Sequence, residues 1–366
     1  MADALSPDDD TSVSREQWAR RYQQQAQACA GLGSPMYGRL LSLISSEIAA
    51  GALSWELVRA RGGLRFGQAG PLRLVGTAHR MALAGSVPDW AALLPSCGGV
   101  VPDDDRELLA AWRGLAERHG EELVDGLDRE VQTNEVARGA GLALALAEAR
   151  MDSAQLVELG CSGGLNLRLD RFEVDLGGMV LGDAGSRVHL HPRITGDLGG
   201  LRHVGLTLPR VTARVGIDVN PVDPTTGEGQ LTLLGYVWPD QTQRLERMRA
   251  AMDLAVSEPA ELLAASVDGP GDTAELLAGV LAREGATVVS HSIVWQYVPT
   301  DVRWRITEAI EEAGSQATDV APLAWIRYEP DEWNRNRAAV WLRRWPDGGD
   351  RLVAHVDYHG RWLSPA

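Results

Sequence analysis

Hydrophobic positions recur at helical spacing through the first part of the chain and at strand spacing through the rest, with the change near residue 150. Met36 to Ala50, Leu72 to Ala84, Arg106 to His119 and Val131 to Ala149 are rich in alanine and leucine at helical period, divided by Gly-Ser-Pro, Val-Pro-Asp and Cys-Gly-Gly breaks. A further helix runs to Ala30, opened by the capping-box spacing Ser14-x-x-Gln17. Residues 1–13, polar and acidic, are expected to form a disordered tail. From Gln155 onward, β-branched runs (Gln155 to Leu159, Val211 to Asp218, Ala286 to Ser290, Leu323 to Tyr328) alternate with helical stretches, as parallel β-α-β units do. Phe172 to Leu181, with a Gly-Gly turn, and Arg187 to His191 predict a β insertion at about 170–210. Val340 to Trp345 and Arg351 to Val356 flank Pro346-Asp347-Gly348-Gly349 and predict a terminal antiparallel hairpin. The expected organisation is α/β: a helical domain over 14–150 that would cap the site and choose the substrate, then a mostly parallel sheet domain over 151–366.

The first strand carries an acid and stops at a glycine-rich turn, Val157-Glu158-Leu159-Gly160-Cys161-Ser162-Gly163-Gly164, followed by Leu165-Asn166-Leu167. Strand, tight turn and helix in that order bring backbone N–H groups and a helix N-terminus close to a nucleotide-like ligand. The dinucleotide fingerprint asks for glycine at its first, third and sixth positions and meets Gly160, Ser162 and Leu165, which disfavours NAD. Gly160-x-Ser162-x-Gly164 also spells a nucleophile elbow, and Asp218 with His291 or His355 would complete a triad in chain order. In α/β-hydrolases, however, several strands precede the elbow, whereas this turn ends the first. The stretch resembles, thirdly, the acid-x-Gly-x-Gly-x-Gly motif of S-adenosylmethionine (AdoMet) methyltransferases, read as Glu158-x-Gly160-x-Ser162-x-Gly164 with only the middle glycine changed. A glycine turn that merely lets a helix pack closely on a strand is the plainest alternative.

Composition removes other classes. The 366 residues, 45% hydrophobic, can bury a large core. A run of ~18 apolar residues is missing, and the chain opens on the acidic Asp8-Asp9-Asp10, so a soluble, cytoplasmic protein without a membrane partner is expected. A formal net charge of −15 opposes a nucleic-acid partner. All 35 basic residues are arginine, which removes the phosphate-loop lysine and the pyridoxal Schiff base. Cys29, Cys97 and Cys161 lie far apart without metal-site spacing; neither a disulfide framework nor a metal is expected, and Cys161 reads as a packing residue.

Candidate site residues follow from position. Asp218 ends Gly216-Ile217-Asp218-Val219-Asn220-Pro221 at the carboxyl edge of the sheet, where a carboxylate accepts both ribose hydroxyls or, alternatively, caps the turn. In Ser266-Val267-Asp268-Gly269-Pro270-Gly271-Asp272, Asp268 or Asp272 would meet an adenine amino group, and Asp268 is taken first. His291, after Val288-Val289-Ser290, is the expected base, helped by Tyr297. Glu135 is the competing base, on a helical Gln132-Thr133-Asn134-Glu135-x-x-Arg138 segment whose polar residues would share a face. Asn134, Arg138, Trp238 and Gln241 would contact substrate, with Trp295 and Trp304 adding an aromatic wall.

Taken together, the Asn-Glu-x-x-Arg segment, the acid-Leu-Gly-x-Ser-x-Gly-Leu-Asn turn, Gly-Ile-Asp-x-Asn-Pro, Trp-Pro-x-Gln and the later histidine resemble domain-of-unknown-function family 2332, over roughly residues 15–360. The resemblance implies a core like the Rossmann fold of AdoMet methyltransferases, with about seven strands. By that likeness Glu158, Gly160, Ser162, Gly164, Asn166, Asp218 and Asn220 line the cofactor site. The expected activity is AdoMet-dependent transfer, of a methyl group by first choice, to a small molecule, relying on proximity and one base. Cyclisation or other alkyl transfer from the same cofactor, a Ser162 esterase, and a ligand-binding protein without catalysis are the alternatives.

Overall fold

A computed structural model describes residues 13–60, 69–198, 205–267 and 270–366. All but the last residue of the expected tail, part of the expected insertion, and Asp268 lie outside the described residues. The chain divides into two compact units, Met1–Thr133 with Leu231–Glu246, and Asn134–Gln230 with Arg247–Ala366.

Unit 1 is helical: α1 (Arg15–Gly31), α2 (Pro35–Ala50), α3 (Leu53–Arg59), α4 (Gly70–Leu83), α5 (Pro88–Ala91) and α6 (Asp105–Gly126). The predicted capping box is present: Ser14 Oγ accepts from the Gln17 N–H, and the Gln17 side chain accepts from the Ser14 N–H. Ser34 and Asp104 are simple N-caps of α2 and α6, their side chains accepting from the Tyr37 and Arg106 N–H groups. The apolar stripes meet in one core around Tyr22, Leu40, Ile44, Leu74, Trp112 and Leu115, and Trp238 packs into it. Among the described residues no single helix is long and apolar enough to cross a membrane; α2 and α3 reach that length only jointly, and are bent by 86° to each other.

Among the described residues, unit 2 is built on a nine-stranded sheet in the order β5-β12-β11-β10-β9-β8-β1-β6-β7. Its strands are β1 (Ser153–Leu159), β5 (Arg193–Ile194), β6 (Arg210–Asp218), β7 (Glu261–Ala264), β8 (Thr287–Ser292), β9 (Leu323–Pro330), β10 (Ala338–Trp345), β11 (Asp350–Val356) and β12 (Trp362–Pro365). Among the described residues the sheet has nine strands where the resemblance implied about seven; the pattern along the chain marked six of them, and β5, β7 and β12 are too short for alternation to reveal. Five strands are mutually parallel, and they run third-second-first-fourth-fifth in chain order, the doubly wound arrangement. β10, β11 and β12 continue antiparallel, the first two forming the predicted terminal hairpin. The insertion folds as a second sheet, β3-β2-β4, from β2 (Glu173–Asp175), β3 (Val180–Gly182) and β4 (His189–Leu190).

Both faces of the large sheet are covered. α7 (Gly139–Glu148) lies so close over Tyr328 and Val340 that a Cβ on Gly141 would be 3.1 and 3.2 Å from them. The opposite face carries Val157, Leu159, Val289, Leu323, Trp325 and Trp345, which form a core with residues of α10 (Thr273–Leu281) and α11 (Thr300–Ser315). The chain leaves unit 2 within α8 (Gly227–Gly235) and returns to it within α9 (Thr242–Ser257).

One local expectation needs correction. Val131 to Ala149 is not one helix: residues 131–135 have no helical conformation, Val136–Arg138 is a single 3-10 turn, and α7 starts at Gly139. Glu135 (φ −88°, ψ 99°) caps that turn by accepting the Ala137 N–H two residues on, and the Asn134 amide is bonded to the distant Cys161 O, so one local and one non-local side-chain bond overrule the helical periodicity. The helix expected after the glycine turn is present as a 3-10 helix, Leu165–Arg171, irregular at Arg168.

Candidate functional site

β1 has β6 on one side and β8 on the other, so the strand order reverses across it and the loops at the carboxyl edge part there. The glycine turn occupies this edge. Gly160, Ser162 and Gly164 all take left-handed backbone, at φ 66°, 51° and 59°. A Cβ on Gly160 would come within 2.4 Å of Val294 Cγ2, so glycine is required there. Ser162 adopts at a cost of about 1–2 kcal/mol the conformation a glycine would take freely. Asp218 holds it: Oδ2 accepts from the Ser162 N–H at 2.8 Å, Oδ1 from the Asn220 N–H at 2.9 Å, and Ser162 O accepts from the Val222 N–H at 3.0 Å. Asp218 thus caps the turn, while its half-buried carboxylate still borders the edge.

Beneath the turn Glu158 is 5% exposed, and its Oε2 has no hydrogen-bond partner. Burial pushes its pKa up to about 8; the Arg168 and Arg138 guanidiniums pull the other way, and the Asp218 charge adds to the rise. At neutral pH the carboxyl is largely protonated and able to donate as well as accept. Asn166 donates its amide N–H to Glu135 O (3.2 Å), while its own Oδ1 is buried without a partner. Asn134 donates to Cys161 O (3.0 Å), and Arg168 donates to Gly164 O (2.6 Å) and Glu258 O (2.8 Å). Arg138 donates to Tyr358 O (3.0 Å) and Ser292 O (3.1 Å), tying the end of β8 to the β11–β12 loop. Glu135, expected as a base, is buried as a capping group, with Oε2 3.3 Å from His359 Nδ1 and Oε1 3.9 Å from Arg247. Cys161 is buried and its thiol is pushed well up by burial, which keeps it protonated, as a packing residue should be.

His291 lies at the same edge but opens onto the other face, since it is paired with Leu159 while Glu158 is paired with Ser290. It is 1% exposed. Its Nδ1 is 2.7 Å from Glu329 Oε1, and its ring stacks on Trp295 with centroids 4.5 Å apart. The same Glu329 oxygen accepts from the Val294 and Trp295 N–H groups at 3.2 and 3.3 Å. This grip depends on Ile293, a β-branched residue at φ 53°, an outlier of the kind that persists where surrounding structure enforces it. His291 Nε2 has no partner. With Nδ1–H donated to the carboxylate, Nε2 is the basic nitrogen.

Tyr297 does not stack on His291. It is 75% exposed, and Trp295 takes the position against the imidazole. Trp238 and Gln241 belong to unit 1, where Trp238 is a core residue and Gln241 donates to Leu32 O at 3.2 Å. Trp304 is 63% exposed. Asp272 caps α10, accepting from Ala274 and Glu275 N–H groups, and pairs with Arg305. The triad through His291 is not assembled, since His291 Nε2 has no partner and Asp218 holds main-chain N–H groups; the alternative His355 has its Nδ1 3.3 Å from Asp331 Oδ2. Glu329 escaped sequence reasoning. Alternation along Leu323–Pro330 places it on the face of Trp325, but only the β8–β9 register, His291 opposite Arg327, brings it to the histidine.

These features define an α/β protein with a doubly wound sheet and an acid-bearing glycine turn where the strand order reverses. The model of a family described as "Uncharacterized protein conserved in bacteria (DUF2332)" matches residues 19–364, and the chain belongs to that family. No curated protein and no solved structure matches it.

Proposed function

We propose that unit 2 binds S-adenosylmethionine at the carboxyl edge of its sheet and acts as a transferase on a small molecule. The observation that carries the reading is the left-handed turn at Gly160, Ser162 and Gly164, clasped by Asp218 at the reversal of strand order. A core like that of AdoMet methyltransferases agrees with the third-second-first-fourth-fifth order of its parallel strands. The donor set fits the group. Asp218 keeps lone pairs for ribose hydroxyls beyond its two main-chain bonds, and the unpartnered Glu158 Oε2 and Asn166 Oδ1 match an ammonium group.

When bound, the sulfonium supplies an electrophilic carbon. The chain then has two tasks. The turn and Asp218 place the ligand, and Nε2 of His291 accepts the proton of the attacking nucleophile while Glu329 holds the imidazole in the required tautomer. In calorimetry and thermal-shift assays, AdoMet and S-adenosylhomocysteine should bind and NADH should not. A hundredfold excess over Kd adds about 2.7 kcal/mol of stability. Asp218→Ala should weaken binding at least about tenfold, the loss of one charged hydrogen bond. Silence with both adenosyl ligands removes the assignment.

One observation favours a second reading: Ser162 is a left-handed residue directly after a strand, the geometry of a nucleophile elbow. Covalent labelling of Ser162 by a fluorophosphonate, abolished in Ser162→Ala, would replace the transferase with an esterase.

A further inference from the structure

The β insertion carries a cluster that takes no part in the proposed transfer. Glu173 on β2 is paired in parallel register with His189 on β4, and His191 follows one residue beyond the strand. One ligand atom from each of Glu173, His189 and His191 falls within 4.8 Å of the others. His189 Nδ1 is 3.4 Å and His191 Nε2 is 3.9 Å from Glu173 Oε1, and the two imidazoles stack with centroids 6.0 Å apart and planes 15° from parallel. Ligands held at about 2.1 Å in a tetrahedron are separated by roughly 3.4 Å, so small side-chain adjustments would bring all three onto one ion.

A second observation points the same way. His191 Nδ1, the nitrogen facing away from Glu173, lies 3.7 Å from Asp175 Oδ2. A carboxylate behind the far nitrogen of a ligating histidine orients the ring and raises its basicity, the usual outer arrangement of a metal site. Asp175 is itself held in place, its Oδ1 accepting from the Gly178 N–H at 2.6 Å. Both histidines are half exposed, 51% and 54% by side chain, so an ion reaches them from solvent.

We propose that Glu173, His189 and His191 form a divalent transition-metal site, with Asp175 as the orienting carboxylate. Two imidazoles and one carboxylate suit Zn²⁺ and its neighbours rather than Mg²⁺ or Ca²⁺, which prefer oxygen alone. Three protein ligands leave at least one position for water or an added ligand. The ion would also clip β4 to β2, a pairing that otherwise rests on two residue pairs.

The test uses the full chain after chelator treatment, with Zn²⁺ as calorimetric probe in excess Mg²⁺. One tight equivalent is expected in the wild type. His189→Ala with His191→Ala should abolish it, Glu173→Gln should weaken it at least tenfold, and Asp175→Asn should weaken it about tenfold, in the range for outer-shell groups. Since the chain has eight histidines, the variants locate the ion. Electron paramagnetic resonance of one Cu²⁺ equivalent on the wild type should show coupling to two nitrogens, a readout independent of variant folding. Zn²⁺ affinity unchanged in the double variant, or Cu²⁺ coupled to fewer than two nitrogens, overturns the proposal.

Discussion

The helical core of unit 1 and the carboxyl edge of the sheet in unit 2 bury polar groups to opposite ends. In unit 1, Glu47 is 3% exposed and accepts from Ser54 (2.6 Å) and Arg113 (2.5 Å). His79, 1% exposed, has one ring nitrogen 3.2 Å from Gly235 O and the other 2.8 Å from Ser96 Oγ. Both groups close the packing around them. At the edge of unit 2, Glu158 Oε2, Asn166 Oδ1, His291 Nε2 and Glu329 Oε2 are buried with no hydrogen-bond partner. Each such atom costs about 1–3 kcal/mol relative to a satisfied one. The carboxyl edge gathers four such atoms beside the left-handed Ser162 and Ile293, whereas in unit 1 the buried Glu47 and His79 are bonded at both polar atoms and Trp90 Nε1 is a buried core atom without a partner.

The contrast is sharpest at His291. On an identified substrate, His291→Gln should lower turnover by about 10² to 10⁴ while leaving cofactor affinity nearly unchanged. Glu329→Gln should retain part of the rate, because it removes the group that orients the imidazole rather than the base. Normal turnover in both variants would end the assignment of His291 as a base. In unit 1 the effect falls on stability instead. Trp112, fully buried with its indole N–H donating to Ser54 Oγ at 3.0 Å, should lose about 3–5 kcal/mol on truncation to alanine in urea denaturation. A loss under about 1 kcal/mol would mean that unit 1 is not packed as tightly as the contrast requires.

Glu158 allows a test by pH. Burial raises its folded-state pKa to about 8. An unfolded glutamate titrates near 4.3, so the folded chain holds the extra proton between those values. The stabilisation from the neutral carboxyl is complete below about pH 4 and is lost as pH rises towards 8, by roughly 3 kcal/mol between pH 5 and 8. Glu158→Gln, always neutral, should lack that decline; parallel stability curves for the two proteins would refute the buried, neutral acid. The smallest effect is expected at Ser162. Ser162→Gly relieves left-handed strain and should raise stability by about 0.5–1 kcal/mol without loss of AdoMet binding. A destabilised variant would show that the hydroxyl, not the backbone, matters at this position.

Where local chemistry decided the outcome, the residues themselves were readable. The Ser14–Gln17 box opens α1, the Gly-Gly turn folds β2 onto β3, and the apolar run ending at Leu159 is β1. The glycine turn was also legible as a turn, because Gly160 and Gly164 are the residues that left-handed backbone favours. Failures came where partners are distant in the chain. Gln132 to Arg138 has helical spacing, yet Asn134 and Glu135 are drawn away by Cys161 O, Asn166 and His359. Glu329 looks like an ordinary strand residue until β8 and β9 are paired in register.

From the residues alone follow the α/β class, the helical first part, the position of the glycine turn and Asp218 as the acid beside it. Each rests on periodicity, capping or turn preference, which act over a few residues. The pairing of nine strands, the choice of Trp295 rather than Tyr297 against His291, and the meeting of Glu173 with His189 were decided by tertiary structure. Strand order and register join residues far apart in the chain, and their energies come from burial and hydrogen bonds that no local pattern encodes.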